Sequence, residues 1–455
     1  MWQPLVTRRH FLGQTAALAG GLSAFPVLAQ DKPKRPRIAA VFTELRFRSH
    51  AFNILENFLG PYLFDGKLVD PGVDVVSFYA DQFPENDMAR DVAKKYKIPL
   101  FASIDQAMCV GGKSLDVDGV LLIGEHGDYP ANERGQKMYP RKQFFDQCVA
   151  PMHRAGRYVP LFNDKHLSYR WDWAKEMYDT SRKHNFPLLA GSSVPLASRV
   201  PELNLPADVE LEEAVSIHGG GLESYDFHGL EVLQSFVEAR RGGETGVARI
   251  ELLTGEALAK AEKAGRWSKA LVEAAMSGDA ALDARRQPRP DAAQRLNKFP
   301  DTAPDKPQKL RGALLLTYRD GFRATVLQLG SSSNRWNFAC RVKGEPQPRA
   351  TCLFNSPWGN RGLFKALSHA IQVMFLTGQE PYPVERTLLT TGLLDAAMHS
   401  HAQGGQPIET PQLAISYQPK NFQALRETGK SWEIITKSTP QPTDFLPGSD
   451  RQWVK

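Results

Sequence analysis

The sequence predicts an α/β protein in which a doubly wound parallel sheet is followed by an α+β domain with an open antiparallel sheet. Three observations carry this. Up to residue 195, short apolar runs alternate with amphipathic stretches of helical length, the pattern of a parallel sheet covered on both faces. Beyond residue 201 the runs lengthen and alternate apolar with polar residues, as strands with one packed face do. The length of 455 residues allows two or three domains, each able to close its own core.

Taken in order, residues 38–42 read as the first strand, 50–63 as a helix, 73–78 as the second strand and 86–96 as a helix. Residues 99–101, a short helix from Ile104 and a strand over 117–123 continue the alternation. A helix over 141–155, a strand over 158–162, a helix over 170–184 and a strand over 187–190 complete a first domain spanning 36–195. A second domain spans 196–403, with strands expected over 209–217, 247–253, 310–318, 322–329 and 336–342, and helices over 361–377 and 384–402. Within it, residues 255–308 read as an Ala/Pro-rich insertion, helical in its first half and rich in breakers from Gln287 to Pro307. Residues 404–455 read as an extended, Pro-punctuated tail. Cys109, Cys148, Cys340 and Cys352 lack CxxC spacing. Cys340 and Cys352 flank a Gly344-Glu345-Pro346 turn, so a cross-strand disulfide is geometrically allowed, with two buried free thiols the favoured reading.

Lys and Arg total 56 against 50 Asp and Glu, and this formal excess of +6 forms no long basic stripe, which disfavours a nucleic-acid partner. No apolar run of membrane-spanning length lies outside the N-terminus, so no membrane span is expected. The N-terminus reads Thr7-Arg8-Arg9-His10-Phe11-Leu12, then a mildly apolar Ala/Gly-rich stretch, then Val27-Leu28-Ala29. This order is that of a twin-arginine signal peptide over residues 1–29, with a mature chain from near Gln30 and a periplasmic address. That route carries proteins folded before export, often because a nucleotide or metal is loaded first.

Three segments together resemble the Gfo/Idh/MocA family of sugar-derivative oxidoreductases, a likeness covering most of residues 37–403. Phe162-Asn163-Asp164-Lys165-His166, with the following helix and Gly191, is similar to the family's Glu-Lys-Pro segment at a strand end. Gly219-Gly220-Gly221 followed by His228 and Glu231 is similar to its Gly-Gly-Gly…His-x-x-Asp stretch, with Ser224 where an aspartate is usual and Glu223 and Asp226 nearby. Residues 381–405, with Arg386, Leu393 and Ser400, are similar to its closing helix and loop. The resemblance implies a Rossmann-like first domain, NAD(P) as cofactor, and a sugar, polyol or keto-sugar derivative as substrate. It places Lys165, His228 and Asp164 as catalytic residues, with His166 departing from the family's proline. An open antiparallel sheet supports dimers or tetramers in proteins of similar build, so self-association belongs among the expected partners.

Two places depart from that pattern. The first βα turn, Thr43-Glu44-Leu45-Arg46-Phe47-Arg48-Ser49-His50, has no glycine, although dinucleotide binding needs glycines for a tight turn and close approach of backbone to pyrophosphate. Thr43, Glu44 and Arg46 are its candidate cofactor contacts, with Asp81 at the next strand end as a ribose-type carboxylate. The run Gly124-Glu125-His126-Gly127-Asp128-Tyr129-Pro130 places Glu125 and His126 at the crevice where open parallel sheets bind ligands. With His166 and His228, and with Asp164 and His218 nearby, they form a donor set for a divalent metal. Three function classes therefore stay open: an oxidoreductase with Lys165 and His228 handling the proton; a cofactor-free or metal-assisted lyase, hydrolase or epimerase in the same cleft; and a non-catalytic carbohydrate-binding protein.

Overall fold

The computed structural model describes residues 34–287 and 309–454; the twin-arginine segment and the breaker-rich stretch from residue 288 to 308 lie outside them. The chain begins with β1 (Arg37–Phe42), α1 (His50–Leu55), the short strands β2 (Tyr62–Phe64) and β3 (Lys67–Val69), and β4 (Asp74–Ala80). It continues through α2 (Ala89–Tyr96), β5 (Leu100–Phe101), α3 (Ile104–Met108), β6 (Gly119–Ile123), α4 (Arg141–Ala155), β7 (Leu161–Asp164), α5 (Trp171–Lys183) and β8 (Leu188–Gly191). The six strands of the main sheet are all parallel, in the order β5-β4-β1-β6-β7-β8. With the β2/β3 hairpin set aside, that is the 3-2-1-4-5-6 order of a doubly wound sheet, whose direction of winding reverses between β1 and β6.

Alternate residues of β1 feed opposite cores. Ile38, Ala40 and Phe42 pack with α1 and with Leu367, Ile371 and Met374 from the C-terminal half of the chain. Ala39 and Val41 pack with Met108, Phe145 and Met152 on the other face. The expected helix over 50–63 stops at Leu55. Gly60 and Pro61 break it, and Asp65 and Gly66, both at positive φ, turn the β2/β3 hairpin.

The second sheet has the order β16-β11-β12-β13-β10-β14-β15-β9. Its strands are β9 (Ser198–Val200), β10 (Leu211–His218), β11 (Val247–Leu253), β12 (Leu310–Tyr318), β13 (Arg323–Leu329), β14 (Trp336–Val342), β15 (Arg349–Phe354) and β16 (Ile408–Glu409). One pair departs from the expected antiparallel pattern: β10 and β13 run parallel. β13 and β14 straddle β10 instead of pairing with each other, so the loop between them crosses the end of β10 and sets Trp336 opposite His218. One face of this sheet packs on α6 (Ser224–Val237) and on α11 (Glu385–Ala402), which follows α10 (Asn360–Thr377). The other face is covered by α7 (Gly255–Lys263) and α8 (Lys269–Met276), through Leu258, Trp267 and Leu271. The stretch that reads as an insertion therefore supplies a second apolar layer to the sheet. Cys109, Cys148, Cys340 and Cys352 are buried free thiols, and Cys340 faces Arg349 in register while Cys352 faces Asn337. No helix among the described residues is long and apolar enough to cross a membrane.

The chain beyond α11 returns to the first domain. Asp450 accepts the Leu63 amide at 2.7 Å and pairs with Lys365, and Glu427 accepts the Asp65 amide at 3.1 Å. Both domains thus lie in one compact unit.

Candidate active site

At the reversal point of the main sheet, the Thr43 amide donates to the Ile123 carbonyl at 3.2 Å and its hydroxyl to the Glu125 carbonyl at 2.7 Å. These bonds lock the loops after β1 and β6 together. Beyond them Glu125 turns inward between two cations. Its Oε1 accepts from Lys165 Nζ at 2.7 Å, and its other oxygen pairs with Arg141, which is fully buried at the start of α4. The absence of a side chain at Gly124 is what admits Arg141, since a Cβ there would lie 2.8 Å from the arginine Cγ. Burial alone would raise the Glu125 carboxyl, but the charges of Lys165 and Arg141 hold it well below the usual carboxylate range.

Lys165 follows β7 directly at φ 62°, its carbonyl accepting from the Gly191 amide at 3.1 Å. His126 at φ 74° and Glu223 at φ 61° are also left-handed. Such backbone costs about 1–3 kcal/mol per residue and clusters where side chains must be aimed. From the second domain, α6 brings Ser224, whose Oγ accepts from Lys165 Nζ at 3.2 Å, and His228 one turn further on. Ser224 stands where the family pattern has an aspartate, and it touches the lysine. Glu223 and Asp226 do not replace that aspartate. They cap the start of α6, and Asp226 also holds His218 at 2.9 Å and Gln328 at 2.7 Å.

His228 Nδ1 lies 2.6 Å from Ser192 Oγ, and that oxygen accepts the Val194 amide at 3.0 Å. Burial, reinforced by the nearby Lys165 charge, pushes the His228 imidazole well below its ordinary pKa, so it stands neutral at pH 7. Lys165, His228, Glu125 and His126 all line one cleft of about 140 Å³ between the domains. Tyr225 and Trp336 form an aromatic wall, stacked at 5.4 Å and nearly parallel, and Phe364 and Leu363 of α10 face them. The wall depends on Gly220: a Cβ there would sit 1.9 Å from Tyr225 Cγ. Gly220→Ala should therefore displace Tyr225 and cost about 1–3 kcal/mol, read as a lowered denaturation midpoint with altered near-UV circular dichroism.

Several expected site residues lie elsewhere. Asp164 is 1% exposed and outside the cleft lining; its Oδ2 is bonded to His50 Nδ1 at 2.6 Å, so it acts on the cleft only through His50. Glu44 is buried against Arg46 at 2.5 Å, and neither lines the cleft. Asp81 accepts from the Tyr79 hydroxyl at 2.8 Å and the Tyr129 hydroxyl at 2.6 Å. Gln82 is tied to Asp128 through two bonds of 2.8 and 3.0 Å, so the loop after β6 folds over the end of β4. This disposition does not fit a dinucleotide in its classical pose. Thr43, Glu44 and Leu45 fill the first turn, and the ribose-type carboxylate is already spent on two tyrosines.

The proposed metal-donor set is not gathered either. His166 is absent from the cleft lining and faces Glu223 at 3.5 Å, Glu125 is neutralised on both oxygens, and His228 turns its Nδ1 to Ser192. Among the described residues, no group of three or more His, Cys, Asp or Glu side chains could hold a metal ion.

Sequence reasoning passed over His50, Tyr225 and Trp336. His50 lines the cleft, 4.9 Å from the His126 ring and 4.7 Å from Phe364. Its signal was its position in the first βα turn, at the carboxyl edge of the sheet.

Burial also holds His126 and His166 below the ordinary imidazole value. In the unfolded chain these three histidines take up a proton below about pH 6.5, whereas in the fold that uptake is pushed to lower pH. The unfolded state then binds more protons, so stability falls with falling pH, each unmatched proton adding about 1.4 kcal/mol per pH unit. Glu125 adds nothing there, being ionised in both states. Denaturant unfolding should show a steep loss between pH 7 and 5.5, and a flat profile would contradict the burial argument.

No family model matches the chain, and no curated protein matches it. Solved structures with a similar chain path include GenD2 from gentamicin A biosynthesis in complex with NAD, at 12% identity and a TM-score of 0.49, covering 83% of this chain and 96% of that one. A myo-inositol dehydrogenase from Corynebacterium glutamicum aligns at 13% identity and a TM-score of 0.47, covering 83% and 99%. An apo scyllo-inositol dehydrogenase from Lactobacillus casei aligns at 11% identity and a TM-score of 0.47, covering 83% and 98%. At such identities no residue role transfers to this chain. The fold is a doubly wound parallel sheet joined to a mixed, largely antiparallel one, as the strand orders themselves define it.

Proposed function

We propose that the chain is an exported enzyme acting on a sugar, polyol or keto-sugar derivative in the cleft between its domains, with Lys165 and His228 as its acid–base pair. The observation that carries this reading is the lining of one cleft by an ammonium from the first domain and a neutral imidazole from the second. The Lys165 ammonium, steadied by Glu125 and Ser224, can donate to a hydroxyl or carbonyl oxygen. The neutral His228, anchored through Nδ1, keeps Nε2 without a partner among the described residues, and in the tautomer that donates from Nδ1 to Ser192 it accepts a proton there. Tyr225 and Trp336 offer an apolar wall for a sugar ring. Export rests on the twin-arginine segment and places the enzyme in the periplasm.

The resemblance to sugar-derivative oxidoreductases makes oxidation or reduction at a carbinol carbon the first reaction to test. The filled first βα turn favours a second reading, in which the same pair runs a lyase or epimerase reaction without nucleotide. Native mass spectrometry of the exported protein, followed by NMR assay on a panel of sugars, polyols and keto-sugars, separates them. Bound nicotinamide dinucleotide with redox products supports the first, and nucleotide-free turnover supports the second. Absence of turnover with both would overturn the enzyme reading.

A further inference from the structure

Where a glycine-rich turn would leave room for a cofactor, this chain places an imidazole. His50 is the first residue of α1, at the reversal point of the sheet, and its Nδ1 lies 2.6 Å from an oxygen of the buried Asp164. A carboxylate can only accept, so Nδ1 donates to it, and in the neutral ring Nε2 is then the nitrogen with the lone pair. Nε2 has no partner among the described residues, and the ring forms part of the cleft wall that also includes Lys165 and His228. The cleft therefore holds three imidazoles, those of His50, His126 and His228, and an ammonium, more proton-handling groups than the acid–base pair alone needs. Asp164 is the carboxylate to which the His50 ring is bonded. The titratable groups around it are His126 at 4.9 Å between rings, the Glu125 and Lys165 pair, and His228.

We propose that His50, aligned by Asp164, is a further catalytic residue that takes a proton from a carbon next to a substrate carbonyl, so that the cleft carries out carbon-acid chemistry on a keto-sugar without a nucleotide. This rests on the acid–base reading of the cleft and deepens its nucleotide-free form. In the step, the C–H bond breaks and its proton passes to His50 Nε2. The electron pair moves onto the carbonyl oxygen, giving an enediolate that the Lys165 ammonium stabilises by hydrogen bonding. His50 Nε2 then exchanges its proton with solvent and returns one to the same face of the carbon. This gives isotope exchange at that carbon and consumes no oxidant or reductant. Asp164 is a positioning residue, since it reaches the substrate only through His50.

The test is deuterium incorporation from D2O into a panel of keto-sugars, followed by proton NMR, with the full mature chain and no added nucleotide. The wild-type chain should exchange the proton beside the carbonyl of at least one of them, and His50→Gln should slow this by about 10²-fold or more. Glutamine can still donate to Asp164, and a thermal melt matching wild type shows that the variant folds. Asp164→Asn should lower kcat with KM held, because the ring loses the acceptor that aligns it while the groups that bind substrate remain. Wild-type exchange on no panel member, or an unchanged rate in His50→Gln, would overturn the proposal. Redox turnover without exchange would overturn it while leaving the acid–base reading standing; neither exchange nor turnover would overturn both.

Discussion

Replacing Lys165 by methionine should lower kcat/KM for the cleft's substrate by about 10²–10⁴-fold and leave the fold in place. Methionine keeps much of the unbranched length and removes the charge. The lost ammonium is the only cation that both touches Glu125 and lines the cleft among the described residues that bond to that carboxylate. Glu125 keeps Arg141, so one full ion pair persists behind the missing amine and the carboxylate is not stranded. A modest fall in stability with a large fall in turnover is the expected signature, checked by denaturant unfolding beside steady-state kinetics. Equal losses in both would instead mark Lys165 as a structural ion-pair partner at the domain interface.

Glu125→Leu should have the opposite balance. It leaves Arg141, 1% exposed at its side chain, and Lys165, 7% exposed, as two buried cations without their carboxylate. Breaking a buried pair by removing one partner costs about 3–5 kcal/mol, a large share of the roughly 5–15 kcal/mol that holds a typical domain together. Chemical denaturation should show that loss as a shifted midpoint. Adding Arg141→Met to the same chain should recover part of it, since the stranded charge is then gone. A Glu125→Leu chain as stable as wild type would mean that water reaches the Arg141 guanidinium, contrary to its burial.

The parts of this site that could be read from the sequence are those whose position follows from one local element. Lys165 comes at the end of an apolar strand, where a doubly wound sheet presents its ligands, and His228 comes one turn into a helix after three glycines. The first turn without glycine likewise announced a cradle of a different kind. What could not be read depends on pairings across the chain. His50 matters because it meets Asp164, 114 residues away. Trp336 reaches the cleft because β10 is inserted between β13 and β14, a strand order that alternation of apolar residues does not encode. Asp81 looked like a ribose carboxylate until Tyr129 arrived from the loop after β6 to occupy it. The Asp65-Gly66 turn was a local signal, masked by apolar residues on either side that also suit a helix.

The central claim is that Lys165 and His228 act as one unit on a bound substrate. A double-mutant cycle on kcat/KM with Lys165→Met, His228→Asn and the combined variant tests it most directly. If the two groups share a transition state, each single change should remove most of the activity and the combined variant should be little worse than the poorer single one. Losses that simply multiply, or a single variant that keeps wild-type turnover, would contradict it.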